Sequence, residues 1–173
     1  MSQYATATDL KTYRGVSGTG DDALLNALLV RASNAVDSYT GRRFSASSDT
    51  TRYFDAIGDH IVGRRILYVD EDLYSVTTVT NGDGNTISST YYTLVPKNTT
   101  PHYAIRLKDT YTSVWTYTTS WEDAISITGK WAYSENPTDD IIQATLRWAS
   151  YMYSQKDAQV FDTTAIPEAG VIQ

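Results

Sequence analysis

The strongest constraint on this chain is its layout, in which two amphipathic segments at opposite ends bracket a long run of Thr-, Tyr- and Ser-rich strand. After Gly20-Asp21-Asp22, Leu24, Leu25, Leu28, Leu29, Ala32, Val36 and Tyr39 recur at three-to-four spacing and predict one apolar helix face as far as Gly41. Asn26, Arg31, Asn34 and Asp37 fall mostly on the other side. Near the other end, Ile141, Ile142, Thr145, Leu146, Trp148, Ala149, Met152 and Tyr153 predict a second helix, running to about Asp157, whose stripe is too broad for one neighbour. Neither helix can bury its stripe alone, and each is the natural cover for the other. The expected architecture is α+β. Residues 1–44 and 135–157 supply a small helical core, 45–134 form a β-rich insertion, and 158–173 extend as a C-terminal arm.

Local signals mark the helix ends. Thr6 or Thr8 can cap a short first helix through Asp9 to Arg14, which Gly15 closes in the left-handed conformation. Gly15 to Gly20 reads as a linker of turn residues. Asp21 or Asp22 opens the long helix at its positive end, and Arg42 meets its negative one. For the last helix, Asn136 is the expected N-cap, Pro137 the first helical residue, and Asp139-Asp140 the acidic first turn.

Between them the grammar changes to period two. Short strands are expected at 52–54, 65–69, 75–80, 91–95, 104–107 and 124–131, where Thr, Val, Ile, Tyr and Trp suit a pleated surface. Asp70-Glu71-Asp72 falls between two of them and reads as a solvated turn. Asn81-Gly82-Asp83-Gly84-Asn85 reads as a hairpin turn. The segment from Tyr111 to Trp121 alternates aromatic with Thr or Ser and defines no strand clearly.

Composition limits the function classes. At 173 residues the chain makes one domain, or a helical core with a β subdomain, and a fold this size buries roughly 70% of its unfolded surface without staples. It has no cysteine, which removes disulfides, thiolate nucleophiles and Cys-ligated zinc. Met1-Ser2-Gln3-Tyr4 lacks the basic start of a signal peptide, and no apolar run approaches a membrane span, so a cytoplasm is the default expectation. A net charge of −6, with scattered Lys and Arg, argues against a dedicated nucleic-acid grip. Fourteen tyrosines and four tryptophans instead suit strands and protein interfaces.

No reaction centre assembles. His60 and His102 fall in expected loops without metal-ligand spacing around them. Asn81 to Asn85 begins like a calcium loop, but Thr86 and Tyr92 stand where glycine and a bidentate glutamate belong. Gly15-Val16-Ser17-Gly18-Thr19 lacks the last glycine of a nucleophile elbow. Asp70-Glu71-Asp72 and Asp139-Asp140 could serve as paired carboxylates in a glycosidase reading, but the first reads as a solvated loop and the second is explained by capping. Trp115, Tyr117 and Trp121 could stack on sugars or bases, or pack in a sheet or protein interface. Nothing here assembles a catalytic set, and the chain reads as a non-enzyme.

Four segments in order resemble the head–tail connector (adaptor) family of long-tailed bacteriophages. They are Asp9 to Tyr13 with Gly15 to Asp22; Asp37-Ser38-Tyr39-Thr40-Gly41-Arg42-Arg43-Phe44; Gly129 to Tyr133 with Pro137; and Ile141 to Arg147 with Gln155-Lys156-Asp157-Ala158. The resemblance covers both ends of the chain. It implies a virion neck protein, assembled in the host cytoplasm. Its subunits would form a homo-oligomeric ring, commonly of twelve, under the portal protein, extending the DNA channel without gripping DNA and docking a tail-side neck or tail-terminator protein. The arm would bind the portal through Val160, Phe161, Ile166, Pro167, Val171 and Ile172; from the residues alone, a tail packed on its own domain is the alternative. Compact relatives carry little more than a hairpin where this chain has residues 45–130. The competing reading is a carbohydrate- or receptor-binding β module of a phage tail.

Overall fold

The computed structural model describes residues 3–46 and 48–156. It contains two compact units, one built from 3–36 with 142–156 and one from 37–141. The fold is α+β, with helices from both ends of the chain and an antiparallel sheet from its middle.

The helical unit follows from its capping and its stripes. Helix α1 (Ala7–Arg14) begins with a capping box, in which the Thr6 hydroxyl accepts from Asp9 N at 3.1 Å and the Asp9 carboxylate accepts from Thr6 N at 2.9 Å. Gly15, at φ 67°, closes it. Helix α2 (Asp22–Thr40) buries Leu25, Leu28, Leu29, Ala32, Ser33 and Val36. Ser33 is tolerated there because its hydroxyl donates to Leu29 O at 2.8 Å and accepts from Tyr4 N at 3.1 Å. Helix α3 (Asp139–Gln155) adds Leu146 and Ala149 to a core shared with Leu10, Leu25, Leu28, Leu29 and Ala32. The two ends of the chain therefore cover each other's stripes. Each fully buried leucine there contributes roughly 1.5–3 kcal/mol. Arg14 fastens α1 to α3, donating to Ser150 O at 2.7 Å and to the Ser150 and Ser154 hydroxyls, with its guanidinium 4.6 Å from the Tyr153 ring centroid.

Three helix expectations change. Tyr39 leaves the stripe and is 87% exposed, because it lies at the last turn of α2, beyond the buried run that ends at Val36. Trp148 is also exposed, since the core face of α3 centres on Thr145, Leu146 and Ala149. And α3 starts at Asp139, not at Pro137. Thr138 occupies the position before it, with its hydroxyl donating to the Asp140 carboxylate, so Asn136 is not the cap.

Asp9, Asp21 and Asp140 all sit at helix N-termini with carboxyls held below their ordinary value of 3.8. The leading causes are hydrogen bonds from Thr6, from Tyr153 and from Thr138 respectively. A carboxyl depressed in the folded state contributes stability that is fully present above its unfolded pKa and is lost as pH falls through the folded one. Stability of the helices should thus hold at neutral pH and decline once pH drops below about 4. Thr6→Ala should cost about 1 kcal/mol at pH 7 and less near pH 2. Urea titrations followed by circular dichroism at both pH values check this.

In the other unit the strands are β1 (Thr50–Phe54), β2 (Ile61–Val62), β3 (Ile66–Thr80), β4 (Tyr92–Val95), β5 (His102–Leu107) and β6 (Ile125–Trp131). They run in the order β1-β6-β3-β5-β4, every pairing antiparallel, with β2 beside the start of β3. Strict alternation along β6 turns Ile125, Ile127 and Trp131 inward. They meet Phe54, Leu67, Leu73, Val79, Ile105 and Trp115 in one apolar core. The opposite face is lined by hydroxyls, with Thr51 and Thr128 bonded at 2.8 Å across β1 and β6.

The turn at Asn81 to Asn85 forms as expected, Asn81 N donating to Asn85 O and Gly84 N to Asn81 O, both at 2.9 Å. It leads to a single bridge, Thr80 with Thr86, and not to a second full strand. The buried Asn81 carboxamide also holds the Tyr111–Trp121 segment, donating to Val114 O at 2.9 Å and accepting from Thr116 N at 3.1 Å. His102 is not a loop residue. It opens β5, buried, with Nδ1 2.7 Å from Pro96 O.

Candidate functional site

The main departure from expectation makes the most distinctive surface. The two strands expected on either side of Asp70-Glu71-Asp72 are one continuous β3, and the three acids lie inside it. Between the pairs Tyr68 with Ala104 and Leu73 with His102, residues 69–72 of β3 stand opposite Tyr103 alone. Such a bulge leaves extra residues unpaired, bends the strand and re-aims its side chains. Three successive acids can therefore be accommodated without facing the core.

Each acid meets a different base. Asp72 lies 3.6 Å from Arg42. Glu71 is engaged through both oxygens by Arg52, at 3.3 Å from Nε and 3.3 Å from Nη2. Asp70 lies 3.3 Å from His60 Nδ1. Arg42 follows the Gly41 stop of α2, Arg52 sits mid-strand in β1, and His60 precedes β2. One bulge thus gathers three separate segments. Aromatic faces back the cations: Arg42 stands 5.1 Å from the Tyr133 ring and Arg52 5.7 Å from the Trp131 ring. Two depressions of about 330 and 370 Å³ share Arg42, Asp70, Glu71 and Asp72 in their walls. Pairs this exposed are worth about 0–1 kcal/mol each and fix orientation more than stability. Beside them the Tyr68 and Tyr103 rings stack, 6.3 Å apart and 7° from parallel, both open to solvent.

Among the described residues, no group of three or more His, Cys, Asp or Glu is placed to hold a metal ion, and no helix is long and apolar enough to cross a membrane. The aromatic run divides: Trp115 is a core residue, while Tyr117 and Trp121 are partly open. A row of three rings for sugar stacking does not form. The portal-contact residues expected from the resemblance, Val160, Phe161, Ile166, Pro167, Val171 and Ile172, lie outside the described residues. The acidic run and Arg42 at the end of α2 were visible in the sequence; the pairing of Arg52 with Glu71 and the Tyr68–Tyr103 stack carried no local signal.

No family model and no curated protein matches the chain. Solved structures do. A subunit in the neck of an empty gene transfer agent (GTA) particle, computed with C6 symmetry, aligns with a TM-score of 0.59 at 14% identity, covering 86% of this chain and 76% of that one. A subunit in the neck of a native GTA particle, computed with C12 symmetry, aligns with a TM-score of 0.52 at 16% identity, covering 86% of this chain and 78% of that one. The similarity is one of fold.

Proposed function

We propose that this protein is a structural subunit of a virion neck, a head–tail connector that forms a ring under the portal, extends the DNA channel and docks a tail-side neck or terminator protein. The observation that carries this reading is the fold likeness to two neck subunits over 86% of the chain. Of the four segments that resemble connector proteins, the first and the last lie on helices that share one core. A net charge of −6 suits a conduit, because a lumen that held phosphates would impede passage. The surface around the β3 bulge, with every acid matched to a base and stacked tyrosines alongside, is suited to a neighbouring protein and offers no unpaired carboxylate set for catalysis. On this reading the protein is not an enzyme and carries no cofactor.

Negative-stain imaging of the purified chain mixed with its portal protein tests the proposal, and rings seated on the portal are the expected result. Deleting residues 158–173 should abolish attachment while circular dichroism of the remaining chain stays native. Attachment that survives the deletion removes the arm from the portal contact. A chain that stays monomeric with portal present removes the connector reading itself.

A further inference from the structure

We propose that the two open edges of the sheet, β1 and β4, are the two halves of one seam between copies, with β1 of one subunit adding to β4 of the next. This rests on the ring reading above and names the surface that would close it.

The sheet ends in two strands that have a neighbour on one side only, β1 against β6 and β4 against β5. Open edges present unpaired main-chain donors and acceptors and are the usual template for pairing with another chain. Proteins that remain single commonly blunt such edges with charge or proline. Here β1 contains only Arg52, which is engaged by Glu71, and Thr50, Thr51 and Tyr53 are exposed along it.

Charge distinguishes the two edges and selects the partner. Asp49 and Asp55 flank β1, and Asp55 accepts from Asp123 N at 2.9 Å, which brings Glu122 and Asp123 to the same end. The β4 side is basic. Arg106 is paired in register with Thr93, and Lys97 follows shortly after Val95. Lys108 reaches back over the start of β4, its N donating to Tyr91 O and its Nζ to Thr90 O, both at 2.8 Å, with Asp109 the one acid beside it. An edge of either kind repels itself and attracts the other, so a β1-to-β4 contact is favoured over β1-to-β1 or β4-to-β4.

Strand direction makes the same choice. Every step along β1-β6-β3-β5-β4 is antiparallel, so β1 and β4 run the same way. Continuing the sheet into the next copy, with the same face outward, pairs β4 with β1 in parallel. A two-fold dimer would instead set like edges antiparallel. A contact between two different surfaces of the same chain is heterologous, the kind that closes rings.

The absence of cysteine makes the test clean. Thr51→Cys and Thr93→Cys, on β1 and β4, would be assembled on portal and treated with a short bismaleimide, with rings checked by negative stain in the same sample. The doubly substituted chain should give a ladder of covalent multimers, and each single variant should stay monomeric. Lys97→Glu with Lys108→Glu should slow ladder formation about tenfold at low salt, and adding Glu122→Lys with Asp123→Lys to that chain should restore it. Rings without a ladder, or dimers from either single variant, overturn the seam while the connector reading stands. Neither rings nor a ladder overturns both.

Discussion

Gly129→Ala is expected to cost the sheet unit its cooperative fold. Gly129 lies in the middle of β6, paired with Thr50 on one side and Val76 on the other. A Cβ there would stand 2.1 Å from Ser75 O and 3.1 Å from both Ser75 C and Val76 Cα. These are backbone atoms of β3, held by the ladder on each side of a register shift, and no side chain can rotate away. Overpacking a core usually costs about 1–3 kcal/mol because side chains yield; here a central strand pair must separate, so the loss should exceed that range. Such a loss is a large fraction of the ~5–15 kcal/mol that holds a domain together. Gly20→Ala is the matched control, since nothing lies within 4 Å of a Cβ at that position. It should be neutral or stabilising by about 0.4–1 kcal/mol, through a less flexible unfolded chain. In thermal melts the Gly129→Ala midpoint should fall, while that of Gly20→Ala stays level or rises. A Gly129→Ala protein that melts with the parent would mean that β3 and β6 are not packed as described.

The helical half of this fold was legible because its signals are local. Thr6 and Asp9 sit three apart, Gly15 and Gly41 stand where helices must stop, and the leucines repeat at helical spacing. Capping and periodicity act within a turn or two, so a sequence states them directly. What failed in the helices was geometric: a broad apolar stripe on α3 does not say which part of it meets α2, and Trp148 fell on the open side. The sheet was legible only in pieces. Nothing local distinguishes an acidic turn at Asp70-Glu71-Asp72 from a bulge inside one long strand, because the deciding partner, Tyr103, lies some thirty residues away. The candidate site shared that fate. Its acidic run showed in the sequence, but the register that brings Arg52 and Tyr103 to it is a long-range property of β1, β3 and β5. His102 illustrates the same point, since it sits next to a proline yet opens a buried strand once β5 is aligned against β3.

Trp115 offers the sharpest separation between packing and recognition. It stands in the segment whose alternation defined no strand, is 1% exposed, and is held in place by its own N donating to Arg64 O at 3.0 Å. Truncation to alanine removes the largest fully buried side chain of the described residues and should cost about 3–5 kcal/mol. Its indole Nε1 is buried without a hydrogen-bond partner, a group that carries a desolvation penalty of about 1–3 kcal/mol. Trp115→Phe removes that donor while keeping most of the ring, so the lost contacts and the relieved penalty oppose each other. The phenylalanine variant should therefore stay within about 1.5 kcal/mol of the parent in urea unfolding, far from the alanine variant. A tryptophan that served to stack a sugar would behave in reverse, leaving the unfolding midpoint in place and lowering affinity for an oligosaccharide. Stability that ignores Trp115→Ala would return the aromatic segment to the list of binding surfaces, and stability that collapses assigns it to the wall against which β3 and β6 are built.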